Sequence, residues 1–318
     1  MKKLFLISVL IKFLMKKLRL LLMLFVFCKS VLAQGTWTQK SSYGGGLIDL
    51  AVGFSIGNKG YIGTGEQYSA ANLKTELWEY DPTANTWTQM ASLPGTPRCY
   101  STAFSIGTKG YIGTGWEGTT WLNDFWEWDQ PTNTRTQLAN FGGSARYGAV
   151  SFSIGSKGYL GTGNESGYVQ TSDFWEYDPS SNTWTQMANY GGGVRVVPVG
   201  FSIGNKGYIG TGYNGTICTD DFWEYDPASN IWTQMANFGG GARAEEVGFS
   251  NGSKGYIGTG ADNSWAFHSD FWEYDPSSNI WTSKANYGGG NRYANVGFNI
   301  GCKGYIGTGY NSPEYSIR

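Results

Sequence analysis

The stretch 55-SIGNKGYIGTG-65 spaces its glycines much as a phosphate-binding loop does. Such a loop occurs once, between a strand and a helix, with a Lys-Ser/Thr pair or a downstream acid to complete the site. Here the core G-Y-I/L-G-T-G recurs, beginning at Gly60, Gly110, Gly158, Gly207, Gly255 and Gly304, at intervals of 48–50 residues. Self-similarity at that period marks a repeat array, so the motif is architecture first. Function is then sought in what differs between copies.

One copy, 197-VPVGFSIGNKGYIGTGYNGTICTDDFWEYDPASNIWTQM-235, reads as four strands. VGFSI and YIGTG flank the tight turn GNKG, whose glycines accept positive φ. A polar loop follows, then FWEYD, a proline-initiated turn and IWTQM. No segment shows helical periodicity. The unit predicted is a four-stranded antiparallel meander, the form of a propeller blade.

Tryptophans recur in the third strand (Trp78, Trp126, Trp175, Trp223, Trp272) and in the fourth (Trp37, Trp87, Trp184, Trp232, Trp281). They are expected to act as mortar between blades, each ring burying roughly 150–250 Å². The second copy has Arg135 in place of tryptophan, which predicts a more exposed outer edge there.

Strand, turn, Tyr-x-Gly-x-Gly, variable loop and W-E-Y-D-P…N-x-W together resemble the kelch repeat, over about residues 36–318. The double glycine usual in that family is G-T-G here. The resemblance implies an all-β, six-bladed β-propeller with blades at about 48–90, 99–138, 147–187, 196–235, 244–284 and 293–318. Thr36–Gln39 matches a lone fourth strand, so the sixth blade is expected to be closed by an N-terminal strand over 36–40. The tail after Gly309 lacks FWEYDP, so either Glu314–Ile317 forms a short third strand or the reading frame is cut.

Residues 1–33 differ in kind from the rest. Lys2, Lys3, Lys16, Lys17 and Arg19 flank apolar runs, and Val31 and Ala33 suit signal-peptidase cleavage before Gln34. An exported mature chain, 34–318, is expected in the periplasm, at the cell surface or in the medium, with no membrane insertion after cleavage. A start at Met15 gives a more ordinary leader. With 15% charged residues and a net charge of −1, a nucleic-acid partner is not expected. Cys99, Cys218 and Cys302 fall on three copies, which argues against a disulfide framework.

The loops between strands two and three vary most: 66-EQYSAANLKTE-76, 116-WEGTTWLND-124, 164-NESGYVQTSD-173, 213-YNGTICTDD-221 and 261-ADNSWAFHSD-270. Variation on a fixed scaffold points to binding there. Crossings to the next first strand share that face, and Arg98, Arg146, Arg195, Arg243 and Arg292 each lie six residues before its phenylalanine. Two readings stand. The arginines form a ligand-facing circle of guanidiniums, or they pair with Glu76, Asp124, Asp173, Asp221 and Asp270 before strand three.

Departures from the repeat include Asp49, Trp116, Trp121, Glu245, Glu246, Trp265 and His268. Loop tryptophans beside acids suit the apolar face and hydroxyls of a sugar ring; the alternative is that they plug the blade top. Glu245 and Glu246 either serve chemistry or pair with Arg243 or Arg292. The kelch resemblance brings galactose oxidase to mind, yet the copper site of that type needs two histidines and this chain has one. No metal or cofactor is expected. Uniform blades favour a module that binds a glycan or a protein surface. The resemblance also implies an alternative, a sialic-acid mutarotase-like enzyme, with Glu245 or Glu246 as base beside Arg243 or Arg292. A structural module of a cell-surface protein is a further alternative.

Overall fold

The computed structural model describes residues 35–67 and 72–311. Five units form four-stranded antiparallel sheets in which each strand pairs with the next along the chain. In the third unit these are Val150–Ile154, Lys157–Gly161, Phe174–Asp178 and Thr183–Met187. The first strands of the other four are Val52–Ile56, Thr102–Ile106, Val199–Ile203 and Val247–Ser250. A sixth unit contributes a two-stranded sheet, Val296–Ile300 with Lys303–Gly307. Two small sheets on the loops, around Arg146–Tyr147 and Arg243–Ala244, complete the set among the described residues.

First strands lie side by side in chain order, and that of the sixth unit also lies against that of the first. Glycine makes this approach possible. A methyl group on Gly158 would overlap the Phe104 ring of the preceding unit, and one on Gly60 would overlap Phe298. The core runs between neighbouring sheets and is chiefly phenylalanine and tyrosine: Phe125 packs edge-on against Trp184 of the next unit at 5.0 Å, and Phe174 does the same with Trp232 at 5.0 Å. The tryptophans are mortar as expected, but half-buried, with Phe and Tyr rings fully enclosed behind them.

The turn between strands three and four ends on an asparagine in the left-handed region, Asn230 at φ 56° for example. Its Oδ1 accepts from Tyr225 Oη at 2.9 Å and from the Ala188 backbone N–H of the preceding unit at 2.9 Å, so one side chain pins two sheets. Equivalent bonds reach Asn133, Asn182 and Asn279.

Three expectations change. YIGTG is not all strand: the ladder stops at its first glycine, and all six threonines that follow turn left-handed, at φ 56–65°. Residues 36–40 carry no strand; the expected third strand, Glu314–Ile317, lies outside the described residues. Even so, Ser41 keeps the repeat's phase, its N–H donating to Asn85 and its carbonyl accepting from Trp87 Nε1. Arg135 is no more exposed than the tryptophans it replaces; its Nε donates to the Ser92 carbonyl and its guanidinium lies 5.5 Å from the Trp128 ring centre. The expected leader, 1–33, lies outside the described residues.

Candidate functional site

Short bridges tie each crossing to the variable loops on either side, Lys74 to Arg98 and Cys99 to Trp116 among them, so the two sets share one face. The crossing arginines do not point out of it. Arg98, Arg146, Arg195 and Arg243 are at most 2% exposed. Each grips both oxygens of an aspartate: Arg98 with Asp124 at 2.5 and 2.6 Å, Arg146 with Asp173 at 2.5 and 2.9 Å, Arg195 with Asp221 at 2.8 and 2.9 Å, and Arg243 with Asp270 at 2.6 and 3.2 Å. A second donor to each aspartate is the Nε1 of the third-strand tryptophan, as from Trp223 to Asp221 at 2.8 Å. Burial alone would raise the Asp124, Asp173 and Asp270 pKa values; the bonds from arginine and tryptophan outweigh it and hold all three below the ordinary carboxylate range. A ligand-facing circle is therefore overturned at these four positions, and Arg243 is not the partner expected for Glu245 or Glu246. Arg292 donates to the Thr308 and Gly289 carbonyls and lies 5.5 Å from the Tyr287 ring centre.

The inner rim is built from backbone. Four residues before each first-strand phenylalanine stand Leu50, Tyr100, Gly148, Val197, Glu245 and Ala294, all left-handed at φ 47–61°. That conformation turns each N–H from Tyr100 to Ala294 onto the carbonyl of its counterpart in the preceding unit, at 2.7–3.4 Å. Left-handed backbone strains side chains such as valine and tyrosine, and strain of that kind concentrates at functional sites. Beneath the rim lies a cavity of about 160 Å³ lined by the first strands of all six units, with Glu246, Ser101 and Asn295 among its polar side chains.

Two rim side chains join across the chain. Tyr100 Oη donates to Glu245 Oε1 at 3.0 Å, although 145 residues separate them. The other Glu245 oxygen is buried and accepts no hydrogen bond from the described residues, and the same holds for Asp49 Oδ1. Burial pushes the Glu245 carboxyl up to about 7; Tyr100 pulls it down, and the Asp49 and Glu66 charges push it up. Asp49 rises to about 6 through burial and then the Glu66 charge, and Glu66 is raised by burial. Glu246 is 8% exposed; it accepts from Thr211 Oγ1 at 3.1 Å, and burial lifts it to about 8, against weaker opposition from its own backbone and Arg243.

Aromatic rings lead outward from this acid cluster. Tyr100 lies 5.2 Å from Tyr147, Tyr147 lies 6.3 Å from Trp121, and Trp121 meets Tyr168 edge-on at 5.5 Å. Tyr168 is 66% exposed at the loop tip, and the Trp121 indole N–H is buried with no acceptor in the protein. On the other side Phe267, Tyr293 and Tyr310 cluster within 4.8–6.2 Å of one another. Trp121 thus joins the site, as does Glu245. Trp116 bridges Cys99 and Trp121 through backbone. Trp265 stands away at the fifth loop's tip, 74% exposed and left-handed at φ 62°. His268 braces that loop, its Nε2 lying 3.0 Å from Asp262.

Sequence reading missed Tyr100, Glu66, Tyr147 and Tyr168. Aligning position four before the phenylalanine would have placed Tyr100 and Glu245 in one register.

No protein-family model matches this sequence, and no curated protein matches it. Among solved structures, one titled "Structure of YjhT" superposes with a TM-score of 0.67, covering 79% of this chain and 87% of that one at 18% identity. A likeness at that identity shows the fold alone, an all-β, propeller-like array of four-stranded antiparallel sheets.

Proposed function

We propose that this kelch-like propeller is an exported, six-bladed ring that binds a carbohydrate through its loop face. The observation that carries the reading is the aromatic track from exposed Tyr168 through Trp121 and Tyr147 to Tyr100, ending on the Glu245 carboxyl. Sugar rings present apolar C–H faces to aromatic platforms and hydroxyls to acids, and this face holds both groups in one chain of contacts. Ring closure is supported by the packing of Phe298 on Gly60, which repeats the Phe104–Gly158 contact between inner neighbours. Export rests on the leader-like residues 1–33 alone.

A glycan array with the mature chain tests the reading. Binding to oligosaccharides that falls at least tenfold in Trp121→Ala and in Tyr168→Ala supports it, the size following from roughly 1–3 kcal/mol per stacked ring. Binding that survives both changes, or an array silent throughout while a protein partner is captured on this face, removes it.

A second reading is the mutarotase-like enzyme on an acidic sugar. Its favouring observation is the Glu245 carboxyl, poised near neutrality and bonded to Tyr100, as an acid–base group requires. Arg243 is spent on Asp270 and does not supply the anion contact. Anomer exchange of sialic acid followed by NMR decides it: no acceleration over buffer sinks that enzyme reading.

A further inference from the structure

The rim is acidic in a way the rest of the molecule is not. In the outer girdle enclosed arginines face the half-buried carboxylates, as Arg146 faces Asp173 and Arg195 faces Asp221. At the rim the charges that act on Glu245 are Asp49 and Glu66, and the charge that acts on Asp49 is Glu66. Two carboxylate oxygens there, Glu245 Oε2 and Asp49 Oδ1, are enclosed and accept nothing from the described residues. One residue along, Glu246 is more than nine-tenths buried and its Oε1 is in the same condition. Buried acceptors without donors cost free energy that a donor-bearing ligand recovers.

The surrounding groups define that ligand further. Tyr100, Tyr147 and Tyr293 gather about the carboxylates, the Tyr293 hydroxyl being pushed up first by burial and then by the Glu245 and Asp49 charges. Acids lacking donors, beside tyrosine hydroxyls, suit an ammonium group, which brings three N–H donors. No set of three or more His, Cys, Asp or Glu side chains able to hold a metal ion occurs among the described residues, so an organic cation fits better than a metal. A carboxylated sugar is disfavoured: Arg98, Arg146, Arg195 and Arg243 are locked onto aspartates, and the rim would repel it.

We infer that the rim selects a sugar bearing a free amine, the ammonium seated between Asp49 and Glu245 with the sugar ring on the Tyr100–Tyr147 side. This rests on the carbohydrate reading above.

The test measures binding of three probes to the mature chain at pH 7 by calorimetry: a glucosamine tetramer, its N-acetylated counterpart and sialyllactose. The glucosamine tetramer is expected to bind at least about tenfold more tightly than the N-acetylated one, as a charged hydrogen bond implies, with sialyllactose weakest. Glu245→Gln and Asp49→Asn are expected to bring the two tetramers level, and either variant suffices if the other does not fold. An N-acetylated tetramer that binds as well as the amine overturns the inference and leaves the carbohydrate reading standing. A preference that persists in both variants overturns the placement of the amine. Silence from all three probes overturns inference and reading together.

Discussion

The outer girdle and the inner rim treat buried charge in opposite ways. In the girdle Arg98, Arg146, Arg195 and Arg243 each meet an aspartate through two hydrogen bonds, and a tryptophan N–H satisfies that aspartate further. The arginine–aspartate–tryptophan arrangement repeats at these four positions, with Glu165 added at Arg146. At the rim the same register holds Leu50, Tyr100, Gly148, Val197, Glu245 and Ala294, on strained backbone, with carboxylates that press on one another. Repetition therefore marks what the fold needs, and its failure marks what the fold tolerates for another purpose.

Cutting the girdle is expected to have the largest effect. Asp221→Ala leaves Arg195 buried without its counter-charge, which predicts a loss of about 3–5 kcal/mol in urea unfolding. Asp173→Ala should lose less, because Glu165, 2.8 Å from Arg146, still supplies a counter-charge there. A loss under about 1 kcal/mol, the value of an exposed pair, would show that the girdle is not the stabilising region.

Titration separates the regions next. Glu246 and Glu245 have folded pKa values raised to about 8 and about 7, and Asp49 to about 6. For a raised carboxyl the stability is full below the unfolded value, near pH 4, and is lost as pH climbs through the folded one. The girdle aspartates are shifted down, so their contribution is lost only at lower pH. Thermal midpoints should therefore fall between pH 5.5 and 8.5, and fall less in Glu246→Gln. An equal fall in wild type and variant would contradict this assignment.

Smaller changes sharpen the girdle itself. Asn230→Gly keeps a residue at ease with φ 56° while removing the acceptor shared by Tyr225 and Ala188, which predicts a loss of about 1–2 kcal/mol. Arg135 is the girdle's own departure: burial pushes its guanidinium down to about 10, and two of its nitrogens are enclosed without acceptors. Arg135→Trp restores the residue of the other units and is expected to gain about 1 kcal/mol in the same unfolding assay.

Much of this was legible in the sequence. The period gave the units, and strand, turn and loop followed from residues that recur. The arginines were legible as a set but not in their role, since a guanidinium six residues before a phenylalanine can face a ligand or an aspartate equally well. The rim was only half legible. Glu245 stood out because neighbouring copies lack an acid there, whereas Tyr100 did not, as a tyrosine among leucine, valine and alanine carries no signal of a bond spanning 145 residues. Nor did the left-handed rim announce itself, because only Gly148 has the residue that such backbone usually recruits.

The claim that the rim carboxylates serve a ligand and not the fold is tested most directly by the thermal midpoint of Glu245→Gln at pH 8. The substitution keeps the shape and an acceptor for Tyr100 while removing a buried, uncompensated charge. The account predicts a midpoint above wild type. A midpoint below wild type would contradict it, placing Glu245 among the residues that hold the fold together.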